Sequence, residues 1–411
     1  MNLKKVILVV VDSLGVGAMA DVCKVRPQDV NANTLQHILN ESQTIKLPNL
    51  EKLGINHILG KNKYTSQNHL ASFGKSNLMH YGADSYAGHQ EIMGTRPLKP
   101  VMSPFVDVID NVKSKLKSKG YKVNTPDCKK PFLLVNDLVV VADNIETDYG
   151  QIYNVTAPLD SISFEEVLKI GKIVRDTVRV NRVIALGGEG VSVNHILSSI
   201  EIREDGLVGV NSPKSGVYNK GYQVRHMGYG VNPKSQISTI LAENNYQVSL
   251  IGKMQDVISC SKAIKEPAVK TQEVMEKIVK QITTINSGLI AATVQETDLA
   301  GHAQDVEKYA EKLIVVDRYL QKIIQVMDNE DLLIITADHG NDPTVGHSQH
   351  TREQVPILVY GKSFIPKKLE CRRTLSDIAA TIADYFNVTN PENGQSFLSD
   401  LRRRGHENSY L

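Results

Sequence analysis

The chain has 411 residues, enough for two domains or for one large domain with an insertion. Its apolar content of 41% and charged content of 22% are typical of a soluble globular protein, and a formal charge of +2 gives no indication of a nucleic-acid partner. The four cysteines are far apart and form no CxxC pair, which argues against a disulfide framework and favours a cytoplasmic location. We expect no membrane partner either, because no apolar run has the length of a membrane span and Val6–Val11 is too short for a signal peptide.

Short apolar runs alternate with helical patterns along the chain, and several runs are apolar throughout, as in strands covered on both faces. Strands are predicted at Val6–Val11, Leu133–Val141, Val183–Ala185, Gln247–Ile251, Gly288–Val294, Leu332–Thr336 and Ile357–Val359. Helices are predicted at Phe164–Arg179, Gln236–Asn244, Thr271–Thr284, Asp305–Met327 and Thr374–Phe386. This alternation predicts an α/β fold with a doubly wound, largely parallel sheet.

The middle of the chain has a different pattern. Residues 100–222 contain lysine-rich turns, two prolines in a short loop and a Gly-Gly-Glu-Gly run at Gly187–Gly190. No predicted strand end in this region carries an acidic residue together with a histidine. We therefore interpret residues 100–222 as an inserted smaller α+β domain, and residues 1–99 with 223–411 as the core.

Acidic and histidine side chains follow three of the predicted core strands. They are Asp12 after the first strand, Asp298 and His302 after Gly288–Val294, and Asp338, His339 and His350 after Leu332–Thr336. In a doubly wound sheet the carboxyl ends of the strands lie along one edge, where ligands bind. Carboxylate and imidazole groups bind divalent metals, and three of each are enough for two adjacent sites. Two such metals can hold a phosphate group and activate an oxygen nucleophile.

A fourth segment, Gly82–Gly94, has the sequence G-A-D-S-Y-A-G-H-Q-E-I-M-G. Its Ser85 lies after an acidic residue and is flanked by glycines that would let the backbone approach a ligand closely. A serine hydroxyl bound to a metal loses its proton readily and can attack phosphorus. Ser85 is therefore a candidate nucleophile and a candidate metal ligand.

Each of these features alone also has a structural explanation. Asp12 and Ser85 could cap helices, and Asp298 with His302 could form a solvated pair at a helix start. His350 could belong to a surface salt-bridge cluster. Their joint occurrence, with an Asp-His pair delivered by a buried strand, makes a metal site the better interpretation.

With these residues in view, the chain resembles the alkaline-phosphatase superfamily of two-metal phosphoryl-transfer enzymes, and within it the phosphopentomutase family. The segments that carry the resemblance, in the family's order, are Val9–Gly17, Asp84–Gly94, Ile251–Lys253, Ile335–Pro356 and Asn390–Leu398. They span nearly the whole chain, and the segment with I-T-A-D-H-G-N-D-P is the most specific.

The resemblance implies a role for each matching residue. One metal would be held by Asp12, Asp338 and His339, and the other by Asp298, His302 and His350. Ser85, between them, would carry a phosphoryl group, and Lys253 would lie near the substrate. The resemblance also implies two divalent metal ions, manganese in typical members, a small phosphorylated substrate such as a sugar phosphate, and an inserted domain that acts as a cap.

The chain departs from the family pattern at several positions. The usual threonine nucleophile is Ser85, a usual tryptophan is Gln90, and Leu186 stands where phosphopentomutases have a phosphate-contacting arginine. The spacing from Asp298 to His302 is that of the cofactor-independent phosphoglycerate mutases. The candidate metal ligands therefore match the family pattern, whereas the residues expected to contact the substrate differ from it. Leucine has no donor that could replace the bidentate contact of an arginine with phosphate.

Three functions remain open at this point. The first is a phosphomutase, a phosphopentomutase or a diverged paralogue, that works through a phosphoserine intermediate. The alternative is a metal-dependent phosphatase or phosphodiesterase with the same metal core. The third is a non-catalytic metal-binding protein, which the presence of all six candidate metal ligands argues against.

Overall fold

The computed structural model describes residues 3–60, 69–127, 129–147 and 149–403. The chain forms two compact units, a smaller one at Leu98–Val231 and a larger one made by the chain on either side of it. The boundaries expected from the sequence, after residues 99 and 222, differ from these. Gln223–Gly228 belongs to the smaller unit because it pairs antiparallel with Arg182–Gly188 in that unit's sheet.

The strands of the described residues are β1 Lys5–Val11, β2 Ser72–Ser76, β3 Val123–Asn124, β4 Leu133–Val135, β5 Val139–Asp143, β6 Ile152–Pro158, β7 Arg182–Gly188, β8 Ile200–Ile202, β9 Val208–Val210, β10 Gln223–Gly228, β11 Gln247–Gly252, β12 Ile264–Glu266, β13 Gly288–Val294, β14 Leu332–Thr336, β15 Val355–Tyr360, β16 Phe364–Ile365 and β17 Arg402–Arg403. The predicted bounds of β13 and β14 match the structure, since both runs are buried along their whole length.

The α-helices are α1 Val22–Val25, α2 Thr34–Glu41, α3 Pro48–Leu53, α4 Ile55–Ile58, α5 Ser85–Ile92, α6 Ile109–Ser118, α7 Phe164–Thr177, α8 Val193–Ser198, α9 Ser212–Ser215, α10 Ile237–Glu243, α11 Lys253–Val257, α12 Thr271–Thr284, α13 Glu296–His302, α14 Val306–Val326 and α15 Ser376–Phe386. Short 3-10 turns occur at Pro27–Asp29, Phe105–Asp107, Pro233–Ser235 and Leu398–Asp400. Asp305, the predicted start of the long helix, is the N-cap of α14, where its side chain accepts from the Lys308 N–H.

The larger unit is built on a seven-stranded sheet in the order β12-β11-β13-β1-β14-β15-β2. The strands from β12 to β14 run parallel, and β15 and β2 add antiparallel pairs at one edge. β1 lies at the centre and all seven of its residues are buried, as expected for a strand with helices on both faces. The predicted α/β fold with a largely parallel sheet is confirmed.

The smaller unit has a six-stranded mixed sheet in the order β10-β7-β6-β5-β4-β3, with a hydrophobic cluster on each face. The single strand predicted at Leu133–Val141 is wrong. Asn136 and Asp137 have φ values of 51° and 57° and turn the chain back, so that β4 and β5 form a hairpin. Two successive residues with positive φ are what a tight hairpin turn requires, and asparagine and aspartate tolerate them.

Among the described residues, no helix is both long enough and apolar enough to cross a membrane.

Gly288 provides a test of the central sheet. It begins β13 opposite Gln247 with a φ of 147°, and a Cβ there would lie 1.8 Å from the Gln247 carbonyl oxygen. We expect Gly288→Ala to lower the free energy of unfolding by about 3 kcal/mol or more, because sheet backbone would have to move. Urea unfolding followed by circular dichroism measures this loss.

Gly82→Ala is the matched control. Gly82 also has a positive φ, 76°, but a Cβ there would meet no described atom within 4 Å. We expect this substitution to lower the free energy of unfolding by only about 1 kcal/mol, because its only penalty is the positive φ of the new alanine. Equal losses in the two variants would contradict the close approach of β11 and β13.

Candidate metal centre

The site lies at the carboxyl ends of three adjacent parallel strands. Asp12 directly follows β1, α13 follows β13, and Asp338 and His339 follow β14. The Asp12 N–H donates to the Val294 carbonyl at 3.1 Å, which continues the pairing of β1 with β13 by one residue. The sheet itself therefore fixes where the first carboxylate lies.

The first cluster consists of Asp12, Asp338 and His339, all of which are fully buried. The ligand atoms of the three side chains lie within 4.8 Å of one another. His339 Nε2 is 3.4 Å from Asp12 Oδ1 and 3.3 Å from Asp338 Oδ2. Two carboxylates and one imidazole nitrogen therefore converge on one point.

The second cluster consists of Asp298, His302 and His350, again with ligand atoms within 4.8 Å. The two Asp298 oxygens are each 3.3 Å from one imidazole, Oδ2 from His302 Nε2 and Oδ1 from His350 Nε2. The two clusters adjoin, because the rings of His339 and His350 stack with centroids 3.9 Å apart. The structure thus brings together all six predicted ligands as two neighbouring groups of three.

All three histidines are oriented in the same way. Each Nδ1 lies against a backbone carbonyl: that of His339 against Gly340 at 2.9 Å, that of His302 against Ser348 at 2.6 Å, and that of His350 against Ala83 at 2.8 Å. A carbonyl only accepts, so Nδ1 carries the proton and the Nε2 lone pair points into the cluster. This arrangement is common among metal-binding histidines.

Several buried polar atoms in the clusters are unpaired. Asp12 Oδ1 and His339 Nε2 have no hydrogen-bond partner among the described residues. The Nε2 atoms of His302 and His350 face each other at 3.0 Å. Unpaired buried polar atoms are costly, and a cation in the first cluster would bind Asp12 Oδ1 and His339 Nε2, as one in the second would bind the two facing imidazoles. The donor set of oxygens and imidazole nitrogens therefore fits divalent transition metals.

The electrostatics of the first cluster support the same conclusion. Burial, together with the charge of Asp338, raises the pKa of Asp12 to about 8. Burial lowers the pKa of His339 to about 3, so its imidazole is neutral and its Nε2 is free to bind a metal. A bound cation would stabilise the ionised form of Asp12, which burial disfavours, and would bind the neutral imidazole of His339.

Ser85 is the first residue of α5 and lies beside the first cluster. Its hydroxyl donates to Asp338 Oδ2 at 2.5 Å and accepts from Lys253 Nζ at 2.7 Å. The same Nζ donates to Asp12 Oδ2 at 2.6 Å. A Cβ on Gly88 would lie 2.6 Å from the Asp338 carbonyl oxygen, so only glycine lets α5 come this close. Ser85 and Lys253 are thus placed together, next to two candidate metal ligands.

Sequence reasoning missed several residues that hold the ligands in place. Ser13 has a φ of 70° and donates its N–H to Asp338 Oδ1 at 3.1 Å, while its Oγ is 2.9 Å from the Tyr309 hydroxyl. Asn341 Nδ2 donates to Asp298 Oδ1 at 2.9 Å. Both residues are adjacent to motif positions, but the sequence shows them only as a helix cap and a turn residue.

The turn-forming residues Gly340, Asn341 and Asp342 predict an exposed loop after β14, and this prediction is wrong. Asp338, Asn341 and Asp342 are fully buried. Asp342 Oδ2 accepts from the Asn33 N–H at 2.8 Å and lies 2.6 Å from His37 Nδ1. The polar groups of the loop thus find partners elsewhere in the larger unit.

Comparison with known proteins identifies the family. The sequence matches the Metalloenzyme superfamily over residues 4–390. A phosphopentomutase of Alkaliphilus oremlandii is 31% identical, with 97% of this chain and 99% of the relative covered. A second, from Caldanaerobacter subterraneus, is 31% identical over 97% and 98% of the two chains. The chain belongs to the phosphopentomutase family.

The fold agrees with this assignment. The crystal structure of phosphoglycerate mutase from Leishmania mexicana matches with a TM-score of 0.50 at 12% identity, covering 96% of this chain and 97% of that one. The resemblance drawn from the motifs is therefore confirmed, and the protein is a phosphopentomutase-like, metal-dependent phosphomutase. Membership of a metalloenzyme superfamily implies divalent metal cofactors, for which the two clusters supply candidate ligands.

Asp338 provides a direct test of the first cluster. Asp338→Asn removes one negative charge from the ligand set, and we expect it to weaken metal binding at this site by at least about tenfold. Isothermal titration of metal-stripped protein with Mn²⁺ measures the affinity of each site.

Asp342→Asn is the matched control, because this buried carboxylate faces Asn33 and His37 instead of the cluster. It should lower stability and leave the Mn²⁺ affinity close to that of the wild type. If Asp338→Asn bound the metal as well as Asp342→Asn does, Asp338 would not be a ligand.

Proposed function

We propose that the protein moves a phosphoryl group between two hydroxyls of a phosphorylated sugar, with Ser85 carrying the group between the two steps. The observation that supports this most strongly is the position of the Ser85 hydroxyl. It lies at the N-terminus of α5, between the candidate metal ligand Asp338 and the cation of Lys253. Backbone N–H groups and the helix dipole at such an end favour a phosphate group.

Two side chains prepare Ser85 for this role. Asp338 Oδ2 accepts a hydrogen bond from the Ser85 hydroxyl, and this bond orients the Oγ lone pairs away from the carboxylate. Burial alone would lower the pKa of Lys253, but Asp12 and the other nearby carboxylates outweigh it and raise the pKa, so the side chain is an ammonium group. That positive charge, 2.7 Å from Oγ, would lie next to the oxygens of a phosphoserine.

We further propose that two divalent metal ions, manganese in particular, occupy the clusters. Asp12, Asp338 and His339 would hold one, with Ser85 beside it, and Asp298, His302 and His350 would hold the other. When bound, such ions supply positive charge that polarises the phosphoryl group and favours the ionised form of the serine hydroxyl. The orphaned Asp12 Oδ1 and His339 Nε2 support this assignment.

The proposed reaction balances without a further reactant. The P–O bond at Ser85 Oγ breaks as a P–O bond forms at one sugar hydroxyl, which gives a sugar bisphosphate. In that step the hydroxyl proton passes to Ser85 Oγ. Ser85 then takes the phosphoryl group from the other position, and its proton passes to that sugar oxygen. The phosphoserine is regenerated, so only the position of the phosphate on the sugar changes.

The relatives are phosphopentomutases by name, which supports a pentose phosphate as the substrate class. We propose that the smaller unit acts as the cap that recognises it, in a manner that differs from the family pattern. Leu186 on β7 is buried in the apolar core of that unit and has no side-chain polar atom for a phosphate. A cytoplasmic location fits the free thiols of Cys23, Cys260 and Cys371.

The decisive experiment is intact and tryptic mass spectrometry of manganese-loaded protein, before and after addition of a panel of pentose and hexose phosphates. We expect a phosphate mass gain at Ser85, together with an isomerised sugar phosphate. Ser85→Ala should lose the mass gain while keeping the fold and the metal, because only the hydroxyl is removed. Ser85→Thr is the matched control and should keep it, since threonine offers the same nucleophilic oxygen.

Each other outcome points to a different function. Free phosphate without an isomerised sugar would identify a phosphatase. Turnover by Ser85→Ala at the wild-type rate would show that Ser85 is not the nucleophile. Absence of both metal binding and phosphate transfer would leave a non-catalytic protein.

A further inference from the structure

His89 is a buried histidine beside the site that neither cluster includes. It lies one helical turn after Ser85 in α5, and its side chain is fully buried. It is not one of the six candidate metal ligands, although it lies next to one of them, Asp338. Its two ring nitrogens nevertheless contact three separate parts of the larger unit.

The Nδ1 atom faces two acceptors. It is 2.8 Å from the Ser85 carbonyl oxygen and 3.1 Å from Asp338 Oδ2. Because a carbonyl only accepts, Nδ1 carries a proton, which is shared between the backbone of the candidate nucleophile and the carboxylate of a candidate metal ligand. Asp338 Oδ2 is also the atom that accepts the Ser85 hydroxyl.

The Nε2 atom holds the ring from the other side. It is 2.8 Å from Thr293 Oγ1, and Thr293 is a fully buried residue of β13. The ring therefore spans from the central sheet to α5 with both nitrogens paired. A buried imidazole held at both ends has one orientation available, so the direction of its Nδ1–H is fixed.

We infer that His89 is a positioning residue, which holds Ser85 and Asp338 in register through its Nδ1–H while Thr293 anchors the ring. The inference rests on the proposed function, in which Ser85 is phosphorylated and Asp338 binds a metal. Outer groups that hydrogen-bond to metal ligands change metal affinity or activity by about 10- to 100-fold when they are removed. A misplacement of reacting atoms by about 1 Å costs on the order of 100-fold in rate.

Two conservative substitutions separate the two ring nitrogens. The amide of His89→Asn can take the place of Nδ1 and keep a donor toward Asp338, but it is too short to reach Thr293. The amide of His89→Gln can take the place of Nε2 and keep the contact with Thr293, but it leaves no donor at the Nδ1 position. Thr293→Val removes only the anchoring hydroxyl and keeps the shape of the residue.

The measurements are Mn²⁺ affinity by isothermal titration, and the rate of Ser85 phosphorylation and the steady-state constants at saturating Mn²⁺. We expect His89→Gln to lose about 10- to 100-fold in Mn²⁺ affinity. We also expect it to lose about 100-fold in kcat with KM nearly unchanged, because His89 does not touch the substrate. His89→Asn and Thr293→Val should each lose less than about tenfold in both quantities.

A merely structural role gives a different pattern. The two His89 variants would then lower the thermal midpoint and the activity in parallel, with no advantage for asparagine. Equal Mn²⁺ affinity in His89→Asn and His89→Gln, or a lower kcat in the asparagine variant, would overturn the inference.

Failure of the proposed function gives yet another pattern. If wild-type protein takes up no phosphate at Ser85, the phosphoserine mechanism is wrong. The Mn²⁺ titrations of the two His89 variants then decide the inference by themselves, because they require no turnover.

Discussion

The larger unit depends on the burial of three carboxylates at one edge of a parallel sheet. Asp12, Asp298 and Asp338 are at most 6% exposed, although water would solvate each of them far better than the protein interior does. The Lys253 ammonium pairs with Asp12, but burial, together with the charge of Asp338, still raises the pKa of Asp12 to about 8. Such an arrangement persists only where the fold holds the groups firmly, and it supplies the attraction that a divalent cation needs.

A single buried carboxylate, that of Glu353, lies between the loop that carries Asp12 and the loop that carries Asp338. Glu353 accepts from the Thr34 and Thr351 hydroxyls at 2.6 Å and from the Gly17 N–H at 3.0 Å. The same side chain fills the space where a Cβ on Gly15 or on Gly340 would fall, at 2.3 and 2.4 Å respectively. Gly15 and Gly340 are far apart in sequence, but the absence of a side chain at both positions leaves room for the same Glu353 carboxylate. The loop that carries Asp12 and the loop that carries Asp338 both pack against it.

The strands and the candidate ligands could be predicted from the sequence, but the burial of the loop after β14 could not. β13 and β14 were predicted with the observed bounds because unbroken apolar runs flanked by polar residues leave few alternatives. The candidate ligands followed from the rule that parallel strands end at one edge. The burial of the loop after β14 did not follow, because Asn33 and His37, the partners of Asp342, lie about 300 residues away. Pairings over such separations leave no local pattern.

The candidate metal ligands and Leu186 lie in different units of the chain. Every described residue of the candidate centre, from Asp12 to His350, belongs to the larger unit, as does the positioning residue His89. Leu186, where the resemblance led us to expect an arginine, belongs to the smaller unit and packs into that unit's own core. A leucine fits that apolar environment, whereas Asp338 and Lys253, which contact the Ser85 hydroxyl, belong to the larger unit. If the smaller unit recognises the sugar, as proposed, a substitution in its core would alter recognition without replacing any residue of the candidate centre.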